Sequence, residues 1–286
     1  MRPEDVWGVD EECQDDYAEM VDMGRATARE LDTVVVSIAR NAMPLLENTV
    51  GLVDEVQAGF RDCRWYVFEN DSADGTGEFL EQQASTRPWM TVERETLGGI
   101  DSRGFETERT TRLAYCRNKC HEWVRTNAAK TAWTIVLDVD PQYGFSVDGV
   151  FNSIGWLGRL MAGARPRPPG AMAAYSLLRT TDAEGRIGVA GYDAWAARPT
   201  CWWRDRRNEV GFQWFSLFLP PVGAPPLMMN SAFGGLCVYR TEAFLAAGPL
   251  PYEGGDCEHV ALHRKMHATG YQLYMNPGSR YIAIWQ

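Results

Sequence analysis

The residues best suited to do chemistry are acids placed where buried strands end. Asp138 and Asp140 follow the apolar run Trp133-Thr134-Ile135-Val136-Leu137, and Asp71 follows Trp65-Tyr66-Val67-Phe68. Side chains two apart on extended backbone leave on the same side, so Asp138 and Asp140 can share one ion. Paired carboxylates suit a hard divalent cation such as Mg²⁺ or Mn²⁺, which bridges readily to phosphate oxygens. Such an ion stabilises a diphosphate leaving group. An Asp-x-Asp alone is a weak signal, because two acids capping a loop give the same pattern.

The elements that must position these acids read as an α/β chain. Val34-Val35-Val36-Ser37-Ile38 is apolar on both faces, as a buried parallel strand is. Residues 44–59 carry helical periodicity with Pro44 in the first turn. The strand at 65–68 then enters Glu69-Asn70-Asp71-Ser72, and Asp74-Gly75-Thr76 starts another helix. Strand-helix-strand-helix predicts a Rossmann-like half with its ligands at the strand ends. The polar stretch 93–108 reads as a loop, 109–127 as a helix and 133–137 as a third buried strand. Beyond it, 191–228 is crowded with Trp, Phe and Pro and reads as a substrate-covering region. Regular structure resumes at 231–247, followed by a helix near 257–269 and a strand at 271–275.

Composition sets outer limits. The 286 residues are 45% hydrophobic and 23% charged, an ordinary globular balance with ample core material. The net charge of −10 is concentrated at one end: residues 1–32 hold eleven acids against three Arg, and the rest hold 27 acids against 25 bases. Residues 1–31 therefore read as a solvated acidic helical arm, with 12–31 a helix that can dock beside the domain, and a near-neutral body does not exclude an anionic partner. Seven Cys with no CxxC pair favour a reducing compartment, with Cys116 and Cys120 as packed thiols. No apolar run is long enough to span a membrane. The expected location is the cytoplasm, compatible with a phage- or virus-encoded protein acting in its host.

Four motifs in order carry a resemblance. They are Ala39-Arg40-Asn41 after the first strand, Glu69-Asn70-Asp71-Ser72-Ala73-Asp74-Gly75-Thr76 after the second, Arg117-Asn118 in a helix, and Leu137-Asp138-Val139-Asp140. Their order over 33–140 resembles the GT-A glycosyltransferases, above all those built like the inverting family-2 enzymes. The late Glu-His helix is similar to viral and fungal mannosyltransferase-like families.

The resemblance implies a mixed, mostly parallel α/β sheet flanked by helices, one domain over 32–286 with an acceptor-covering insertion. Residues 32–145 would bind the nucleotide sugar and 146–286 the acceptor. It also implies a UDP- or GDP-sugar donor and Mn²⁺ or Mg²⁺. Ala39 and Asp71 would contact base and ribose, and Asp138 and Asp140 ribose and metal. Arg40, Asn41, Glu69, Arg117, Asn118 and Val139 complete the matched donor motifs, and Arg40, Arg112 and Arg117 are candidates to pair with the diphosphate.

Further on, Asn230-Ser231-Ala232-Phe233-Gly234-Gly235 resembles the family's glycine-containing sugar and acceptor loop, which makes Gly234 and Gly235 contact candidates. The segment Gly254-Gly255-Asp256-Cys257-Glu258-His259 leads a helix where relatives carry a Glu-Asp pair supplying the catalytic base. His259 stands where that Asp would be, so the base lies among Asp256, Glu258 and His259, and His259 is alternatively a third metal ligand. His259, His263 and His267 also share one helix face, a zinc-like ladder for which a partly exposed face is the plainer account.

The acceptor is a glycan or, given Arg198, Arg204, Arg206 and Arg207 among Trp195, Trp202, Trp203 and Trp214, a hydroxymethylated DNA base. A nucleotidyltransferase would need a Gly-rich, Lys-bearing loop where this chain has Ala39-Arg40-Asn41. An inactive sugar-binding relative is the remaining alternative.

Overall fold

The computed structural model describes residues 2–98, 106–181, 184, 187–205 and 218–283. Its helices are α1 (Pro3–Val6), α2 (Gln14–Ala28), α3 (Leu45–Gln57), α4 (Thr76–Thr86), α5 (Thr107–Asn127), α6 (Val147–Ala162), α7 (Thr241–Ala246) and α8 (Glu258–Ala268). Its strands are β1 (Asp32–Ala39), β2 (Asp62–Asn70), β3 (Met90–Glu95), β4 (Trp133–Leu137), β5 (Pro169–Thr181), β6 (Ile187–Gly191), β7 (Arg198–Pro199), β8 (Leu227–Ser231), β9 (Leu236–Arg240) and β10 (Gln272–Ala283). They form one sheet in the order β3-β2-β1-β4-β9-β5-β10-β8-β7, with β6 on β5.

The N-terminal strands are parallel, as their two-sided apolar pattern requires. Register brings Ala39 opposite Glu69 and Val36 opposite Val136, so β1, β2 and β4 finish on one edge. The expected mixed α/β sheet is thus present. Its C-terminal part interleaves antiparallel β9 and β8 with the parallel pair β5 and β10.

Two elements differ from expectation. The polar stretch from 93 begins as the end of β3, which pairs with β2 from Trp65↔Met90 to Asn70↔Glu95. As the terminal strand in the sheet order, β3 has one lateral neighbour, and its charged residues find partners there: Glu93 accepts from Tyr66 Oη at 2.8 Å and Glu95 pairs with Lys119 at 2.9 Å. Residues 99–105 of the supposed loop lie outside the described residues. The late strand runs far past Met275, because an irregularity between Asn276 and Arg280 carries β10 through Pro277-Gly278 without leaving the sheet.

At the N-terminus the expected helix packs against the domain. One face of α2 (Tyr17, Met20, Val21, Gly24 and Ala28) is buried, while Asp15, Asp16, Glu19 and Asp22 are exposed. The helix lies directly on α6: a Cβ on Gly24 would sit 1.8 Å from the Phe151 carbonyl oxygen, and one on Gly155 2.1 Å from that of Met20. Such approach needs glycine on both helices. The acidic segment is therefore solvated on one side and part of the core on the other.

Candidate functional site

The ends of β1 and β2 are laced together by side chains. Asn41 donates its N–H to Ser72 Oγ at 3.0 Å, and its Oδ1 accepts from Ala73 N at 2.8 Å. Asp74 accepts from Met43 N at 2.9 Å and from Thr76 N at 3.0 Å. Glu69, buried, accepts from Ser72 N and Arg94 Nε, both at 2.9 Å. Asn41, Glu69 and Asp74 thus shape two loops, and Ala39 is buried beneath them. Arg40 is exposed.

Asp71 faces the cleft edge in the left-handed region (φ 52°). It accepts from Leu97 N and Asn70 Nδ2, each at 3.1 Å, and lies 3.6 Å from Arg112. Burial opposes its charge, but these hydrogen bonds with Arg112 and Arg40 outweigh it, and the carboxyl lies below its ordinary value.

The acid pair leaves β4 beside the glycine turn between β8 and β9. Asp138 donates its N–H to the Gly235 carbonyl at 2.8 Å, and its own carbonyl accepts from Tyr281 Oη at 3.4 Å. Val139 points inward, and its carbonyl accepts from Thr49 Oγ1 at 2.9 Å. Asp140 is exposed to solvent, yet the surrounding protein still desolvates its carboxyl. Burial, with repulsion from Asp138 second, pushes its carboxyl up to about 6.

Gly234 and Gly235 adopt φ of 65° and 75°. A Cβ on them would lie 2.4 Å from the Ala174 carbonyl oxygen and 2.5 Å from the Tyr281 ring. Only glycine combines that backbone with that proximity.

Arg117 joins the two halves of the site. Buried in α5, it bonds Asp138 Oδ1 through Nη2, and its Nε lies 3.6 Å from Glu258 Oε1. Among the described residues its Nε and Nη1 have no hydrogen-bond partner. Asn118, one residue on, exchanges two hydrogen bonds with the Tyr252 backbone at 3.0 and 3.1 Å, fastening the segment before α8 to α5. Glu258 opens α8 and is buried; desolvation raises its carboxyl and Arg117 works against that rise.

The other C-terminal candidates are placed differently. Asp256 accepts from buried Arg198 on both oxygens, at 2.9 and 3.0 Å, and from Cys257 N at 2.7 Å. The His259 ring stacks on Phe233 at 3.6 Å and meets Tyr252 edge-on at 5.5 Å, with Glu258 at 3.4 Å. Burial, reinforced by Arg117, drives its imidazole well below the ordinary value.

Among the described residues no three His, Cys, Asp or Glu side chains form a group that could hold a metal ion. The set Asp138, Asp140 and His259 is therefore not assembled, because the imidazole is packed among aromatic rings. The His ladder is not a zinc site either, nor is its face exposed at His259 and His263. His263 is saturated by Ser231 Oγ at 2.8 Å and Tyr239 Oη at 2.7 Å, and His267 packs against Trp203.

Arg198, considered for an anionic acceptor, is spent internally on Asp256 and on the Trp195, Ala197 and Trp203 carbonyls. Arg206, Arg207 and Trp214 lie outside the described residues.

One acid was missed by the sequence reading. Asp193 (φ 63°) accepts from Gly234 N at 2.8 Å, and burial pushes its carboxyl up to about 7, with Asp138 and Glu258 adding repulsion. No spacing rule marks it, since Gly191-Tyr192-Asp193-Ala194-Trp195 reads as loop.

No family of known proteins and no curated protein matches this chain. Solved structures do match in fold. GalNAc-T7, crystallised with UDP, GalNAc and Mn²⁺, superposes with a TM-score of 0.53 at 13% identity, over 90% of this chain and 44% of its own. The mannosyltransferase PcManGT from Pyrobaculum calidifontis, in complex with GDP-Man and Mn²⁺, gives 0.50 at 14% identity, over 95% of this chain and 66% of its own. The chain thus spans 44% and 66% of the lengths of these two proteins, and the architecture it shares with them is the GT-A fold.

Proposed function

We propose that this chain is a metal-dependent glycosyltransferase, moving a hexose from a UDP- or GDP-sugar to an acceptor hydroxyl with inversion. The observation that carries the reading is the constellation at the sheet edge. Asp71 follows β2, Asp138 and Asp140 follow β4, and Arg117 ties Asp138 to Glu258 beneath the Gly234-Gly235 turn. Fold likeness to proteins solved with UDP or GDP-Man and Mn²⁺ supports it.

The acid pair fits a divalent cation on its own chemistry. Two carboxylates whose mutual repulsion contributes to the raised value of Asp140 gain from a cation between them. Mg²⁺-type sites need only one or two carboxylates plus substrate phosphates. Asp138 and Asp140 would hold the ion, which when bound neutralises charge on the departing diphosphate.

The remaining roles belong to the chain itself. The loop Ala39-Arg40-Asn41 and Asp71, fixed by the lacing around Glu69 and Asp74, would hold base and ribose. The glycine turn, seated against Ala174 and Tyr281, would contact the sugar through its backbone, and Glu258 would take the proton of the attacking hydroxyl. Asp256 is less free for this because both its oxygens already serve Arg198. In this reading residues 32–145 bind donor, residues 146–286 face acceptor, and residues 1–31 are a docked arm.

Incubation with a panel of UDP- and GDP-sugars should release nucleoside diphosphate from one of them with Mn²⁺ and not with EDTA. Release of pyrophosphate from a nucleoside triphosphate would instead identify a nucleotidyltransferase, and no donor consumed with any metal would leave only a binding role.

A further inference from the structure

Asp193 lies on the loop between β6 and β7, remote in sequence from every motif above, yet it reaches the centre of the site. Its Oδ2 accepts from Gly234 N at 2.8 Å. The next carbonyl, that of Gly235, accepts from Asp138 N at 2.8 Å. One short relay therefore runs from the Asp193 carboxylate through the two-glycine turn to the main chain of Asp138.

The turn is constrained from beneath as well. Ala174 and the Tyr281 ring leave no room for side chains on Gly234 and Gly235, and Tyr281 also donates to the Asp138 carbonyl. Two left-handed segments, at Asp193 and at Gly234-Gly235, are thereby hooked together by one side chain. Glycines without an external tie sample many backbone states, so a tie at this position limits where Asp138 points.

We infer that Asp193 is a positioning residue, whose carboxylate fixes the glycine turn and through it the direction of the Asp138 side chain. The inference rests on the glycosyltransferase reading for its consequence in catalysis, but its structural half stands apart from that reading. Asp193 aligns Asp138 for the donor's metal-bound diphosphate and takes no part in proton transfer.

Two substitutions separate these roles. Asp193→Asn keeps an acceptor oxygen and tolerates the left-handed backbone, whereas Asp193→Gly removes the acceptor without backbone strain. Amide hydrogen exchange at Gly234 and Asp138, with steady-state kinetics on the consumed donor, reads both. Asp193→Asn should exchange like wild type and keep turnover within about threefold. Asp193→Gly should speed exchange at both amides about tenfold or more and raise donor KM more than it lowers kcat.

Unchanged exchange in Asp193→Gly would overturn the inference. So would loss of turnover in Asp193→Asn with normal exchange, since the carboxylate would then act directly. If wild type consumes no donor, the proposed function fails while the exchange data still decide the positioning role.

Discussion

Asp140→Asn is expected to stabilise the metal-free protein above pH 6 while cutting turnover on the order of 10³-fold. The two effects share one cause. Burial, and then the charge of Asp138, raise the Asp140 carboxyl from 3.8 to about 6 in the folded chain. A carboxyl raised on folding favours the folded state while protonated, and that contribution is lost as pH climbs through the folded value. Wild type without metal should therefore lose stability between about pH 4 and pH 6.5 relative to Asp140→Asn, and the two should melt alike below pH 4. Thermal unfolding in EDTA across that range checks the sign.

With Mn²⁺ the order should reverse, because only wild type gains binding free energy. On the role proposed for Asp140, its loss would withdraw several kcal/mol of leaving-group stabilisation, each 1.4 kcal/mol being about tenfold in rate. Unchanged turnover in Asp140→Asn would refute the metal role.

The second large effect belongs to Arg117. It is 3% exposed, lies between Asp138 and Glu258, and its guanidinium carbon sits 5.1 Å over the Phe233 ring. Arg117→Met keeps most of the volume but leaves buried Glu258 and half-buried Asp138 without their cation. Breaking a buried pair from one side costs about 3–5 kcal/mol. Chemical denaturation should show a loss of that size, and a melting temperature lower by on the order of 10 °C.

Adding Glu258→Gln to Arg117→Met should recover part of the loss, because one of the stranded charges is then gone. If Arg117→Met were as stable as wild type, Arg117 would be dispensable as an internal counter-ion. Its service to a diphosphate would then be the better account.

The N-terminal half of the sheet was legible because its signals are local. A strand buried on both faces must be apolar on both, as at Val34–Ile38. A turn made by Asp74, Gly75 and Thr76 uses residues whose side chains bond their own backbone. These two rules alone bring Asp71, Asp138 and Asp140 to one edge.

The C-terminal half was harder, for physical reasons visible in particular residues. A lateral strand such as β3 does not carry the two-sided apolar signature of β1. β10 continues through Pro277-Gly278 because an irregularity absorbs the break. His259 reads as a ligand until its ring is seen against Phe233, and Arg198 reads as a surface cation until it is seen chelating Asp256. Asp193 acts through a turn about forty residues away, a contact that no local pattern encodes.

In the proposed site Asp138 and Asp140 would present a divalent ion to a nucleotide diphosphate. Calorimetric titration of wild type with UDP and with GDP, in Mn²⁺ and again in EDTA, tests it most directly. One of the two nucleotides should bind in Mn²⁺ and lose that binding in EDTA, as it should with Asp138→Asn in Mn²⁺. Equal affinity with and without metal, or no binding of either nucleotide under any condition, would contradict the account.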